Sequence, residues 1–134
     1  MKALKIIGIA FLVYVAIVVL FESLLGYFQP EPPGSLTIIT TDEDGTSHDR
    51  VLTELASDGR VYVAVNHWPR AWYHRALTNP NVKVARGDGE ALNYVAVRVS
   101  GEEHDQVAED NPLGVVIRFL MGFPPRYFVR LDPA

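Results

Sequence analysis

VAVNHWPRAWYHRALTNPNVKV, residues 63–84, places two tryptophans, a tyrosine, two histidines and two arginines between two valine-rich runs. Pro69 is tolerated in the first turn of a helix, and Asn79-Pro80 is a helix-ending dipeptide, so a short helix over 69–78 is predicted. The alternating runs on either side, 61–67 and 81–87, predict strands. A strand, a short aromatic helix and a second strand therefore form the middle of the chain.

The rest of the chain beyond residue 35 consists of short strands separated by Gly- and Asp-rich turns. Four more strands are predicted from β-branched and alternating residues, and a second short helix from the apolar run 112–121. Short strands joined by hairpins favour an antiparallel barrel, closed or split, over a parallel βαβ sheet. The predicted fold is mainly β (α+β), a single barrel of about six strands with two short helices; the four further strands are 35–41, 48–57, 91–100 and 126–131.

The N-terminal segment is apolar enough to predict a membrane anchor. No charged residue occurs from Ile6 to Phe21, and the span Ile6–Phe28 reaches roughly 35 Å at 1.5 Å per residue, against about 30 Å of hydrocarbon. A cleaved signal peptide is the alternative, but the run is long and no small-x-small cleavage site follows it. We expect a transmembrane anchor over 1–28, a proline-rich linker over 29–35 and the barrel domain over 36–134.

Charge gives the anchor an orientation and excludes one class of partner. Lys2 and Lys5 precede the span, and the next Lys or Arg is Arg50, so the N-terminus is predicted in the cytoplasm and the domain outside it. Beyond Gln29 there are ten Lys/Arg and fifteen Asp/Glu, a formal charge of −5. This balance argues against nucleic-acid binding, which needs a basic surface.

The common catalytic motifs do not occur in the sequence. There is no cysteine, and the four histidines lack the spacing of a zinc motif, so no metal site is predicted. The serines lack the glycine-flanked elbow of a hydrolase nucleophile, and no glycine-rich loop leads from a strand into a helix.

The aromatic, basic helix leaves two interpretations open. Trp68, Trp72 and Arg75 fall on one stripe of the helix, and Tyr73 lies beside it. These rings could close the end of the barrel as part of its core, with the arginines solvated. Alternatively, they could bind a planar, partly anionic ligand by stacking and by guanidinium hydrogen bonds.

The stretch 36–132 resembles the deazaflavin-dependent nitroreductase and quinone reductase family, whose fold is a split β-barrel. That family's signature is a strand ending in V-A-S-N-G-G, followed by P-A-W-Y-H-N-L-x-A-N-P and an alternating strand. The final PPRYFVRLDP is also similar to the family's last strand. The residues that match in register are Trp72, Tyr73, His74, Leu77, Asn79 and Pro80.

Two parts of the pattern differ. The family's basic, glycine-flanked turn is TDEDGTSHDR (41–50) here, in which only Arg50 aligns with a basic residue. The paired glycines of the family are His67 and Trp68, and the asparagine in its helix is Arg75.

The resemblance implies an oxidoreductase that transfers a hydride from a reduced deazaflavin, or from FMN as the alternative, to a quinone or another flat acceptor. It implies that His74 or His67 polarises the acceptor. It further implies a homodimer, which is common among split barrels. The alternative is a non-catalytic, membrane-anchored binding module that has lost the cofactor. The residues implied to bind the cofactor are Arg50, Asn66, Trp72, Tyr73, Arg75 and Asn79.

Overall fold

A computed structural model describes residues 1–28, 34–65, 71–123 and 125–134 of the chain. The helices within these ranges are α1 (Lys2–Phe28), α2 (Ala71–Thr78), α3 (Gly101–Asp110) and α4 (Val115–Leu120). The strands are β1 (Ser35–Thr41), β2 (Ser47–Thr53), β3 (Leu55–Ser57), β4 (Arg60–Val65), β5 (Asn81–Ala85), β6 (Leu92–Arg98) and β7 (Tyr127–Pro133).

The strands form one curled sheet in the order β2-β1-β5-β6-β7-β4-β3, with every neighbouring pair antiparallel. The predicted split barrel is thereby confirmed, with seven strands in the described residues rather than about six. The difference arises at Glu54, where the predicted strand 48–57 is interrupted. Before Glu54 the chain pairs with β1, and after it the chain pairs with β4, at the other edge of the sheet. One continuous segment therefore connects the two edges of the curled sheet.

Alternation along the strands divides the core between the two faces of the sheet. Val63 packs in the larger cluster, with Trp72 and Ala76 of α2. Its neighbour Tyr62 packs in the smaller cluster, with Val107 of α3. Because successive side chains of a strand point to opposite faces, α2 and α3 cover opposite faces of the sheet.

Helix α3 was not predicted, because the sequence GEEHDQVAED lacks an apolar stripe. Only Val107 in it is buried, so the segment has no periodic pattern of apolar residues from which a helix could be predicted. Polar contacts hold the helix instead: Tyr62 Oη donates to Glu103 at 2.8 Å, and Ser57 Oγ donates to Asp110 at 2.6 Å. The predicted second helix, 112–121, corresponds to the shorter α4.

Helix α1 is long and apolar enough to cross a membrane over Lys2–Leu24, a property of length and composition that signal sequences share. One face of its C-terminal half lies against the domain. Tyr14, Val18 and Glu22, spaced by four residues, share that face, and Val18 and Glu22 are buried. Residues 29–33 of the predicted linker lie outside the described residues, and Ser35 belongs to β1 rather than to the linker.

Candidate functional site

An open pocket of about 460 Å³ lies between the end of β1, with the turn that follows it, and the C-terminal half of α2. Three of the residues predicted to form the site, His74, Arg75 and Asn79, line it together. Their spacing explains the convergence, because positions i, i+1 and i+5 lie within about 140° of one another around a helix. The other lining residues are Thr41, Asp42, Glu43 and Thr78.

Arg75 is held in place by a hydrogen bond from its Nε to Thr40 Oγ1, 2.9 Å away. Thr40 is fully buried on β1, so the acceptor is fixed by the core of the sheet. A guanidinium has five N–H donors, and this bond uses one of them. Arg75 therefore brings a well-positioned positive charge to the pocket wall.

The β1–β2 turn forms the acidic side of the pocket. Asp42 Oδ1 accepts the backbone N–H groups of Asp44 and Thr46, both at 3.0 Å, and its Oδ2 lies 2.9 Å from His48 Nε2. The hydrogen bond from His48 contributes most to lowering the pKa of Asp42, and the two backbone donors act in the same direction. The charge of Asp42 is thus compensated within its own turn, whereas Glu43 is exposed.

Arg50 does not line this pocket. It pairs with Ile38 across β1 and β2, and its guanidinium lies near the carboxylate of Glu22 on α1. Burial lowers the pKa of Arg50, and the Glu22 charge opposes that effect. The arginine that aligns with the family's basic turn is therefore placed at the contact between α1 and the barrel.

Trp72 and Tyr73 lie in the larger core cluster. Their rings meet edge to face with centroids 6.1 Å apart, the arrangement expected of packed aromatic side chains. The position of both rings agrees with the interpretation in which they close the core of the barrel. Tyr73 also contacts the ring of His74 edge to face at 5.6 Å, so the core supports one residue of the pocket wall from behind.

Two predicted residues, Asn66 and His67, fall in the stretch 66–70 outside the described residues. Thr40 and Thr41 were not predicted, because their role depends on the end of β1 lying beside α2. Within the described ranges, no group of three His, Asp or Glu side chains is arranged to hold a metal ion.

Neither the family models nor the curated proteins match this sequence, but solved structures match its fold. The FAD-binding protein from Mycobacterium smegmatis is 17% identical, with a TM-score of 0.55, covering 90% of this chain and 89% of that one. The heme storage protein HutZ from Vibrio cholerae is 18% identical, with a TM-score of 0.53, covering 75% and 82%. A third structure, described as a domain-swapped dimer, is 20% identical, with a TM-score of 0.54, covering 72% and 80%.

At these identities the similarity establishes the fold. The chain has the split-barrel fold that these flavin- and heme-associated proteins share with it. The resemblance to the split-barrel reductases predicted from residues 36–132 is thus confirmed at the level of the fold.

Proposed function

We propose that this split-barrel chain is a membrane-anchored oxidoreductase that binds a flavin- or deazaflavin-type cofactor in the pocket between β1 and α2. Its second substrate would be a quinone or another flat, lipid-soluble acceptor. The observation that carries the proposal is the convergence of His74, Arg75 and Asn79 on one pocket. Those residues belong to, or immediately adjoin, the sequence match to the deazaflavin-dependent reductases.

The size and charge of the pocket suit the phosphate-bearing tail of such a cofactor. A volume of about 460 Å³ falls within the range of roughly 300–1,000 Å³ typical of small-molecule sites. Arg75, oriented by Thr40, offers charge-assisted hydrogen bonds to a phosphate. Asp42 is compensated by His48 and two backbone donors, which reduces its repulsion of an anion.

The roles that we propose for the other predicted site residues follow from their positions. When bound, the cofactor supplies a hydride. His74, exposed on α2 and supported by the ring of Tyr73, would donate a hydrogen bond to the carbonyl oxygen of the acceptor. His67 and Asn66, from the sequence match, would complete the site, Asn79 would contact the cofactor, and Trp72 and Tyr73 would shape the pocket from within the core.

The membrane placement follows from α1. A helix over Lys2–Leu24 with the required length and hydropathy would hold the pocket close to an acceptor dissolved in the bilayer. Lys2 and Lys5, at the N-terminal end of that helix, would hold the N-terminus in the cytoplasm and the domain outside it. A topology reporter fused after Ala134 tests this orientation, and reporter activity confined to the cytoplasm would reverse it.

A second candidate function is a non-catalytic binding module that has lost the cofactor. The position of Arg50 favours it, because this arginine faces Glu22 and does not line the pocket. Glu43 on the pocket wall adds a negative charge where the related family has basic residues. In that case the pocket would take a partner or a hydrophobic ligand outside the cytoplasm.

Turnover separates the two candidates. Full-length protein in detergent micelles is mixed anaerobically with reduced FMN or reduced deazaflavin and a short-chain quinone, and cofactor absorbance is followed. An oxidoreductase accelerates oxidation of the reduced cofactor in proportion to enzyme, and His74→Ala slows it with the cofactor still bound. Cofactor binding without acceleration refutes the catalytic candidate. Because one matching structure is a domain-swapped dimer, we also propose a homodimer, tested by light scattering of the same sample.

A further inference from the structure

Helix α4 and the turn after it present an apolar surface. Val115 and Val116 are 76% and 71% exposed, and Phe123 is 54% exposed. Contiguous apolar exposure of this kind marks an interaction surface, whereas single exposed apolar side chains do not. We call this surface the α4 patch; its members are Val115, Val116, Ile117, Phe119 and Phe123.

The sequence around the α4 patch is that of a segment that contacts lipid. PLGVVIRFLMGFPP (112–125) contains no acidic residue and one basic residue, Arg118. The guanidinium of Arg118 lies 5.9 Å from the centre of the Phe123 ring. An arginine in this setting keeps its stem among apolar groups, with its guanidinium beside an aromatic ring.

The α4 patch is continuous with the apolar surface of α1. Tyr14 Oη donates to the backbone oxygen of Phe119 at 3.0 Å, and the two rings lie 4.8 Å apart. Met121, which directly follows α4, is only 4% exposed. Helix α4 thus packs against α1, while the residues of the α4 patch are left uncovered by the described residues.

The position of Tyr14 sets how deep α4 would lie. Tyr14 is ten residues from Leu24, the C-terminal end of the apolar span, which corresponds to about 15 Å along the helix axis. That distance is about half of a hydrocarbon core roughly 30 Å thick. If α1 crosses the bilayer, a helix in contact with Tyr14 lies within the hydrocarbon of the leaflet nearest the domain.

From this geometry we propose that the α4 patch inserts among the acyl chains of the same bilayer that α1 crosses. The domain is then held at two points, which fixes the orientation of the barrel relative to the membrane. The inference rests on the placement of α1 given under the proposed function. Lipid is the occupant that fits, because the patch continues the exposed apolar surface of α1, which the proposed function places in the bilayer.

The absence of cysteine from the chain allows single-cysteine labelling of the full-length protein in phosphatidylcholine vesicles. An environment-sensitive fluorophore is attached at Val115→Cys or Val116→Cys, and quenching by spin-labelled acyl chains is measured. Ile9→Cys, 62% exposed on α1, reports on the anchor. Asp105→Cys is the aqueous control, because Asp105 is 84% exposed on a helix rich in acidic residues.

We expect fluorophores at both valine positions to lose emission to the lipid quencher as at Ile9, with no loss at Asp105. If the fluorophores at both valine positions behave like the one at Asp105, and are quenched by iodide rather than by the lipid quencher, the insertion of α4 is overturned. Fluorophores at both valines that are shielded from both quenchers, together with disulfide-linked dimers of the unlabelled Val116→Cys protein, overturn it in favour of a second copy. Lack of lipid quenching at Ile9 refutes the membrane placement of α1, whereas lack of quenching at the valines alone leaves that placement intact.

Discussion

Replacing Glu103 by glutamine tests how α3 is held on the sheet. The carboxylate accepts Tyr62 Oη at 2.8 Å, and Arg130 Nη1 lies 2.8 and 3.0 Å from its two oxygens. The side chains of Arg130 and Glu103 are 20% and 29% exposed, so the pair is partly screened from solvent. Glutamine keeps the shape and a neutral acceptor for Tyr62 but removes the charge that Arg130 pairs with.

The expected loss of stability follows from the hydrogen bonds to residue 103, which change from charged to neutral in Glu103→Gln. A hydrogen bond to a charged group contributes about 1.5–3 kcal/mol and a neutral one about 0.5–1.5 kcal/mol. The difference, after some discount for exposure, is about 1–2 kcal/mol. For a domain of about 100 residues each kcal/mol shifts Tm by roughly 4–8 °C, so Glu103→Gln should lower Tm by roughly 4–16 °C.

The pH dependence gives a second readout with a defined sign. The hydrogen bond from Arg130 contributes most to lowering the pKa of Glu103. A carboxylate with a lowered folded pKa stabilises the fold above its unfolded pKa, about 4.3, and loses that contribution as pH falls through the folded value. The difference between the wild type and Glu103→Gln should therefore be full at pH 7 and should close only below about pH 4.

Thermal unfolding of the full-length protein in detergent, followed by tryptophan fluorescence, measures both effects, since Trp72 is buried in the core. Glu102→Gln is the matched control, an exposed carboxylate one position earlier in the same helix. Equal Tm values for wild type and Glu103→Gln at pH 7 would refute the reasoning. So would a difference that persists unchanged to pH 3.

Three further substitutions test the pocket and its support. Arg75→Gln should weaken FMN or deazaflavin binding by about 10- to 150-fold, which corresponds to the loss of a charged hydrogen bond of about 1.5–3 kcal/mol. In the same titration, Arg98→Gln, at an exposed arginine on β6, should leave the affinity unchanged. Thr40→Val removes the acceptor that orients Arg75; it should weaken binding less than Arg75→Gln and add little to it in the double variant, so additive losses would contradict the link. Trp72→Ala should destabilise the domain by about 3–5 kcal/mol, and a Tm near that of the wild type would contradict its place in the core.

Local patterns allowed most of the fold to be predicted from the sequence. The strand over 35–41 was placed without error because it is rich in β-branched residues and its side chains alternate between buried and partly buried positions. The break at Glu54 could not be predicted, because it reflects a change of pairing partner between opposite edges of the sheet. Helix α3 was missed for a related reason: it is stabilised by Tyr62 and Arg130, residues distant in sequence.

The candidate site, too, contains residues that could be predicted from the sequence and residues that could not. His74 and Arg75 lie on α2 and Asn79 directly follows it, so the three residues taken from the sequence match are close to one another along the chain, and the structure shows that they line one pocket. The packing of β1 against α2 brings Thr40 to Arg75 and the acidic turn to the pocket, a tertiary contact that no local pattern encodes. Arg50 was expected to bind the same ligand, but the structure places it beside Glu22 of α1. The sequence does not show how α1 packs against the barrel, so this contact could not be predicted.

The central claim is that the pocket between β1 and α2 binds a flavin- or deazaflavin-type cofactor through Arg75. Its most direct test is an equilibrium fluorescence titration of FMN, FAD and a deazaflavin coenzyme with purified full-length protein, alongside Arg75→Gln and Arg98→Gln. The account predicts saturable binding of at least one of these cofactors, weakened by Arg75→Gln and unaffected by Arg98→Gln. Failure of all three to bind to folded protein, or equal binding by wild type and Arg75→Gln, would contradict it.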